Sequence, residues 1–313
     1  MASFLDSRRS AGAGVSKNEP EKKGAEKYFQ LLFRKFWSYV KLNLLYILVS
    51  LPTIIFYTTI LLYLLYGLLN EGNAIAILFQ SIAISLLLVT FFSGSPCSAG
   101  YYYVLRNYVR EEHAWVASDF FEHTRLNFGK ALAAYLIDVC FVTISLINIS
   151  IYPTLFDVMG FNAYTIIIAA AFGLMVIFYA MMHTFMWTLM VTFDLKFTQI
   201  YRNSFLLSMI SLPRNLGGLI LRAAIAILAF IFIPIPLLIL LSIIILTAAF
   251  GLSAQMYAYP TIKKIMLDKI APPEEEYSEE DDDEFDLGYV PNGPNDIAGL
   301  FKKTNKEDDN EPV

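Results

Sequence analysis

The sequence predicts an all-α polytopic membrane protein with six transmembrane helices. They read as three hairpins with both termini cytoplasmic, and further helices lie along the cytoplasmic surface. Three observations carry this. Of 313 residues, 57% are hydrophobic and only 16% charged, against roughly 45–50% and 25% in soluble domains, and mean hydropathy is +0.54. The apolar residues gather into segments long enough to cross hydrocarbon. The basic residues avoid every second connection between those segments.

Taken in order, residues 1–27 are rich in Ser, Ala, Gly, Lys and Glu, a composition that predicts a disordered cytoplasmic arm. The chain up to residue 38 is too long and too charged for a secretory signal peptide, so the first span is expected to be retained. Phe29, Leu32, Phe33, Phe36 and Val40 recur at helical spacing beside Arg34, Lys35 and Lys41. That pattern predicts an interfacial helix running into the first span. The spans are read as 40–66, 74–95, 131–151, 164–193, 218–233 and 237–258, each near or above the roughly 20 residues that cross about 30 Å of hydrocarbon. The last two form one apolar stretch, 217–258, which as a single helix would be about 63 Å long, twice a bilayer core. It must fold back, and Pro234 and Pro236 are the natural hinge.

Charge tests this topology. The connections 67–73, 152–163 and 234–236 contain no Lys or Arg. All 23 basic residues lie in the arm and first-span start, in 97–130, in 196–222, or after Pro260. By the positive-inside rule both termini are cytoplasmic. The net charge of −5 hides a division: residues 1–270 carry +7 and residues 271–313 carry −12. Ten carboxylates fall within 274–286, and such a run predicts an extended, disordered cytoplasmic tail. That tail is either simply solvated or docks to a basic partner through residues 297–301.

Between the second and third spans, Tyr101, Leu105, Tyr108 and Val109 share one helical face. The second span is therefore expected to continue into the cytoplasm and end at Glu111-Glu112-His113. Asp119 and Glu122 form a D-x-x-E variant of the capping box, which predicts a helix starting there and becoming the third span. This loop supplies the candidate partner contacts: Arg106, Arg110, Glu111, Glu112, Trp115, Asp119, Phe120, Glu122 and Arg125. Pro213 predicts a break that leaves 198–211 as a separate amphipathic helix.

Asn43, Asn127 and Asn215 each follow a basic residue near the start of an odd-numbered span. They suggest a threefold hairpin repeat, in which the asparagines would occupy equivalent places, capping a helix or holding a neighbour's backbone. Positive-inside placement alone would also give the basic residues. Asp138 and His183 lie at similar depth in the third and fourth spans and can pair if those helices pack. Ionisable residues inside a membrane default to function, here a proton- or substrate-linked site. The plainer arrangement has a neutral His183 bonded to a backbone carbonyl and Asp138 reached by water.

Several chemistries lack their signatures. Cys97 and Cys140 are the only cysteines and His113, His123 and His183 the only histidines, so no disulfide framework or Cys-rich metal site is expected. HExxH, GxSxG, GxxxxGK[ST] and GxGxxG are all absent. No catalytic residue, metal or cofactor is expected, and no nucleic-acid partner.

Pro96-Cys97-Ser98-Ala99-Gly100, Tyr103-Val104-Leu105-Arg106-Asn107, Arg110-Glu111-Glu112-His113-Ala114-Trp115, Ser118-Asp119-Phe120-Phe121-Glu122 and Asn127-Phe128 together resemble the signature of the YesL-like bacterial membrane proteins. Leu42-Asn43-Leu44-Leu45-Tyr46 with Leu51-Pro52 resembles the start of that family. Thr192-Phe193-Asp194-Leu195 and Leu212-Pro213-Arg214-Asn215-Leu216 resemble its later half. The resemblance covers roughly 30–270, with Cys97-Ser98 standing where small Ala/Thr residues are more usual. It implies a polytopic protein of the plasma membrane, mainly of Gram-positive-type bacteria, often encoded beside sugar-uptake genes, with no established chemistry. The resulting expectation is an accessory subunit or assembly factor for carbohydrate import, contacting the bilayer and sugar ABC-transporter permease subunits. The alternatives are a solute transporter or channel, and a membrane enzyme acting on lipid or glycan.

Overall fold

Hydrocarbon offers the backbone no hydrogen-bond partners, so an apolar span must close its own ladder as a helix. The computed structural model describes residues 24–69 and 73–267, and among these no strand occurs. The helices are α1 (Gly24–Arg34), α2 (Phe36–Leu69), α3 (Ala74–Phe91), α4 (Ser98–Val109), α5 (Val116–Met159), α6 (Ala163–Thr192), α7 (Phe197–Ile210), α8 (Leu212–Phe232), α9 (Ile235–Leu241) and α10 (Thr247–Ile262). Two π-helical turns, Ser242–Leu246 and Lys263–Leu267, flank α10. Six helical segments are long and apolar enough to cross a membrane, the last running from Ile235 to Met266. The expectations for residues 1–23 and for the acidic tail lie outside the described residues.

The hinge after α8 falls where proline places it. Ile233 is extended, and α9 begins with Pro236 in its first turn, where a missing N–H costs nothing. The amphipathic helix expected at 198–211 is α7, separated from α8 at Ser211. The arm is ordered earlier than its composition implied, since α1 begins at Gly24 and a turn at Lys35 divides it from α2.

The loop region corrects the sequence reading most. The second span does not run on as one helix. It stops at Phe91, the chain unwinds through Ser93-Gly94-Ser95-Pro96-Cys97, and α4 starts afresh at Ser98. Gly94 is required there, because a Cβ would lie 2.4 Å from the Ser50 hydroxyl of α2. Gly100 is required more strictly, because a Cβ would lie 1.9 Å from the Phe120 carbonyl of α5. Every residue of α4 except Tyr103 is buried, packed against α5, α6 and α10. The proposed capping box is also reversed. Trp115 is the N-cap of α5, and Asp119, a full turn inside, accepts from the Trp115 N–H at 2.9 Å.

The ion pairs between Lys or Arg and Asp or Glu among the described residues gather at the end of the bundle that holds α4, hereafter the basic end. Arg34 meets Glu111 at 2.9 Å, Lys130 meets Asp194 at 2.8 Å, and Lys35 donates to the Glu112 carbonyl at 2.9 Å. α5, at 44 residues, is about 66 Å long, so it extends well past the hydrocarbon core.

Candidate functional site

Tyr179, His183 and Trp187 are spaced four apart on one face of α6. That face meets Asp138 of α5 and the unwound segment after α3. Asp138 is fully buried, and both of its carboxylate oxygens are engaged. The Ser93 hydroxyl donates to Oδ2, the Tyr179 hydroxyl donates to Oδ1, and His183 Nε2 lies 3.1 Å from Oδ2. The Trp187 indole N–H donates to the same His183 Nε2 at 3.0 Å. The pair allowed by the matching depths therefore forms. The plainer arrangement does not, because His183 Nε2 faces the Asp138 carboxyl group and the Trp187 N–H rather than a backbone carbonyl.

This arrangement has a chemical consequence. A ring nitrogen carries either a proton or a lone pair. If Nε2 carries a proton, it donates to Asp138 and the Trp187 N–H loses its acceptor. If Nε2 is bare, it accepts from Trp187 and the contact with Asp138 requires a proton on the carboxyl group. The two contacts thus distinguish two proton arrangements of one cluster, beside a break in a membrane helix. Ser93, Tyr179 and Trp187 were not singled out in the sequence, although the aromatic–His–aromatic spacing along α6 was readable there.

Beyond the cluster, Thr188 donates to Gln255 of α10 at 3.0 Å. Arg222 of α8 donates through Nη2 to Thr184 at 3.2 Å.

The three asparagines are not equivalent, which removes the repeat built on them. Asn43 is buried and crosses to the π-helical turn before α10. It donates to the Ser242 and Ile243 carbonyls at 2.8 and 2.7 Å and accepts from the Ala248 N–H at 2.8 Å. A π turn displaces carbonyls from the regular ladder, and Asn43 satisfies them. Asn215 also reaches another helix, donating to Met181 of α6 at 3.1 Å. Asn127 bonds the His123 carbonyl, one turn back in its own helix, at 3.2 Å, and no other helix among the described residues.

The candidate contacts of the loop separate into two groups. Arg106 and Phe120 are buried and are corrected from surface to core. The Arg106 guanidinium donates to the Val191 carbonyl and to Thr192, capping the C-terminal end of α6, where a cation is favoured. Burial still disfavours that charge and lowers its pKa. Phe120 lies under α4, its carbonyl against Gly100. Arg110, Glu111, Glu112, Trp115, Glu122 and Arg125 are exposed and Asp119 is half-buried. Trp115 is 71% exposed and has His113 edge-on at 4.9 Å. Glu111 has φ +61°, the left-handed residue that often ends a helix, and its carboxylate is held by Arg34 and Lys27. Among the described residues, no group of three or more His, Cys, Asp or Glu side chains is arranged to hold a metal.

No family model, curated protein or solved structure matches this chain.

Proposed function

We propose that the protein is a non-catalytic membrane subunit or assembly factor acting beside a carbohydrate importer in a bacterial plasma membrane, with both termini cytoplasmic. The observation that carries the reading is the exposed corner at the start of α5. Trp115, Phe121, Glu122 and Arg125 face outward there on a base whose core helix, α4, is almost wholly buried. A rigid aromatic and charged patch is the kind of surface that binds protein partners. The link to carbohydrate rests on the YesL-like motifs, and the orientation rests on the placement of basic residues. The test is purification in mild detergent with identification of co-purifying proteins. A sugar-transporter permease is expected with the unaltered chain and is expected to be lost with Trp115→Ala. A purified monomer that moves solute in liposomes would sink this reading.

A second reading is a proton-linked solute carrier. It is favoured by Asp138 lying beside the break between α3 and α4, since discontinuous helices and intramembrane carboxylates recur at transporter sites. Uptake driven by a proton gradient and abolished by Asp138→Asn would establish it. Gradient-independent behaviour of both proteins would remove it.

A further inference from the structure

Arg222 carries a charge that the described protein does not neutralise. Its Nη2 donates to the neutral Thr184 hydroxyl, its buried Nε has no partner, and it forms no ion pair among the described residues. A guanidinium keeps its proton under all ordinary conditions, and a cation within a membrane span is costly unless an anion accompanies it. Asp138 is not free to serve, because both of its oxygens are already taken by Ser93, Tyr179 and His183.

Two adjoining spaces meet beside this residue. The smaller, about 30 Å³, lies between α3, α4, α6, α8 and α10, with His183, Thr184 and Arg222 in its wall. It is about the size of one water. The larger, about 390 Å³, lies between α3, α6 and α8 and is lined entirely by apolar residues, among them Leu87, Val176, Ala223 and Ala226. Its size falls in the roughly 300–1,000 Å³ range of ligand sites. Phe91, Ala180 and Leu219 line both spaces, and exposed Ile177 and Ile227 open the larger one toward lipid. The geometry is that of a hydrocarbon groove separated by Phe91, Ala180 and Leu219 from a small cavity that has in its wall a cation with no ion-pair partner among the described residues.

We propose that this groove binds one anionic glycerophospholipid. An acyl chain lies between α3 and α8, and a phosphate oxygen accepts from the free edge of Arg222. The guanidinium fork suits phosphate in geometry and charge. The phosphate stays at the mouth of the small cavity, which has room only for a bridging water. Arg222 lies ten residues into α8, about 15 Å along its axis, and a helical side chain leans back toward the helix N-terminus, so the phosphate sits on the basic-end side of the groove.

Native mass spectrometry of the purified full chain, equilibrated with phosphatidylglycerol and phosphatidylcholine of identical chains, tests this. The expected result is one tightly retained phosphatidylglycerol, preferred by about tenfold, the worth of one charge-assisted hydrogen bond. Arg222→Gln should abolish the preference. Arg222→Lys, which keeps charge without the fork, should retain only part of it and serves if the glutamine variant fails to fold. Ala226→Phe should weaken retention of both lipids without changing their ratio, with Ala223→Leu as the milder filling variant. Equal retention by the unaltered chain, an undiminished preference in Arg222→Gln, or displacement by oleate as effective as by phosphatidylglycerol would each overturn the proposal.

Discussion

The two halves of α6 belong to one largely apolar helix and have opposite surroundings. From Ile166 to Phe178 the helix presents Ile166, Ile167, Ile168, Leu174, Met175 and Phe178 outward. From His183 to Val191 every residue is buried, enclosed by α4, α7 and α10. Lipid tails are as apolar as leucine, so burying leucine against protein gains little there. What distinguishes the enclosed half is its polar content and close packing. Thr188 bonds Gln255, Trp187 bonds His183, and the Tyr102 ring stacks on Trp187 at 5.8 Å. α6 is therefore held to its neighbours along the half near the basic end and presents apolar side chains outward along the other.

This contrast can be broken most severely at Gly100. Any side chain there drives α4 off the Phe120 carbonyl, and overpacking a tight core costs about 1–3 kcal/mol or more. Gly100→Leu is expected at or beyond the top of that range, read as a lowered melting temperature in detergent. Asn43→Ala comes next. It removes three bonds to the Ser242–Ala248 turn, and intramembrane bonds average about 0.6 kcal/mol each, so a loss of about 2 kcal/mol is expected. Asn43→Asp should rescue little, because a carboxylate cannot donate to the two carbonyls.

Asp138→Asn is expected to cost about 1 kcal/mol, the ordinary net worth of a buried hydrogen bond, because the amide oxygen still accepts from one hydroxyl. The near-ultraviolet signal of Trp187 should change with it, since an amide cannot exchange a proton with His183 Nε2. An unchanged Trp187 signal would show that the two contacts on Nε2 are independent. In the open half, Ile167→Leu should change stability by less than about 0.5 kcal/mol, as surface substitutions do. A loss comparable to that of Asn43→Ala would mean the outer half is enclosed by a partner.

The smallest effect is electrostatic. Lys130 holds the exposed Asp194 carboxyl below its ordinary value of 3.8. Its contribution to stability is therefore complete above that value and is lost as pH falls through the lower folded value. Acid melting of Asp194→Asn should differ from the unaltered chain above that window and converge with it below.

Much of this architecture was legible in the chain. The hinge at Pro234 and the break at Ser211 follow from proline geometry, and the six spans follow from apolar length. The break after Phe91 carried a signal, since Ser93-Gly94-Ser95-Pro96 is rich in helix breakers, but the helical face shared by Tyr101, Leu105, Tyr108 and Val109 pointed to one continuous helix, and only the fit of Gly94 against Ser50 decided for the break. Asp138 and His183 were legible as costly residues at matching depth. Ser93 was not, because a serine hydroxyl in a span usually satisfies itself by bonding its own helix, as Ser81 and Ser85 do. Arg106 and Phe120 misled for a related reason. Both sit in a charged loop, and only the seat of α4 on α5 and α6 buries them.

Composition and periodicity by themselves determined that the chain is helical, that it has six apolar spans, and where prolines divide them. These are local consequences of backbone hydrogen bonding in a solvent that offers none. Tertiary structure alone decided which half of α6 faces protein, that Asn43 bonds across to a π turn while Asn127 bonds its own helix, and that Arg222 has no ion-pair partner among the described residues. In an apolar solvent hydropathy cannot tell protein-facing from lipid-facing residues, so those choices rest on fit and on hydrogen bonds between residues far apart in the chain.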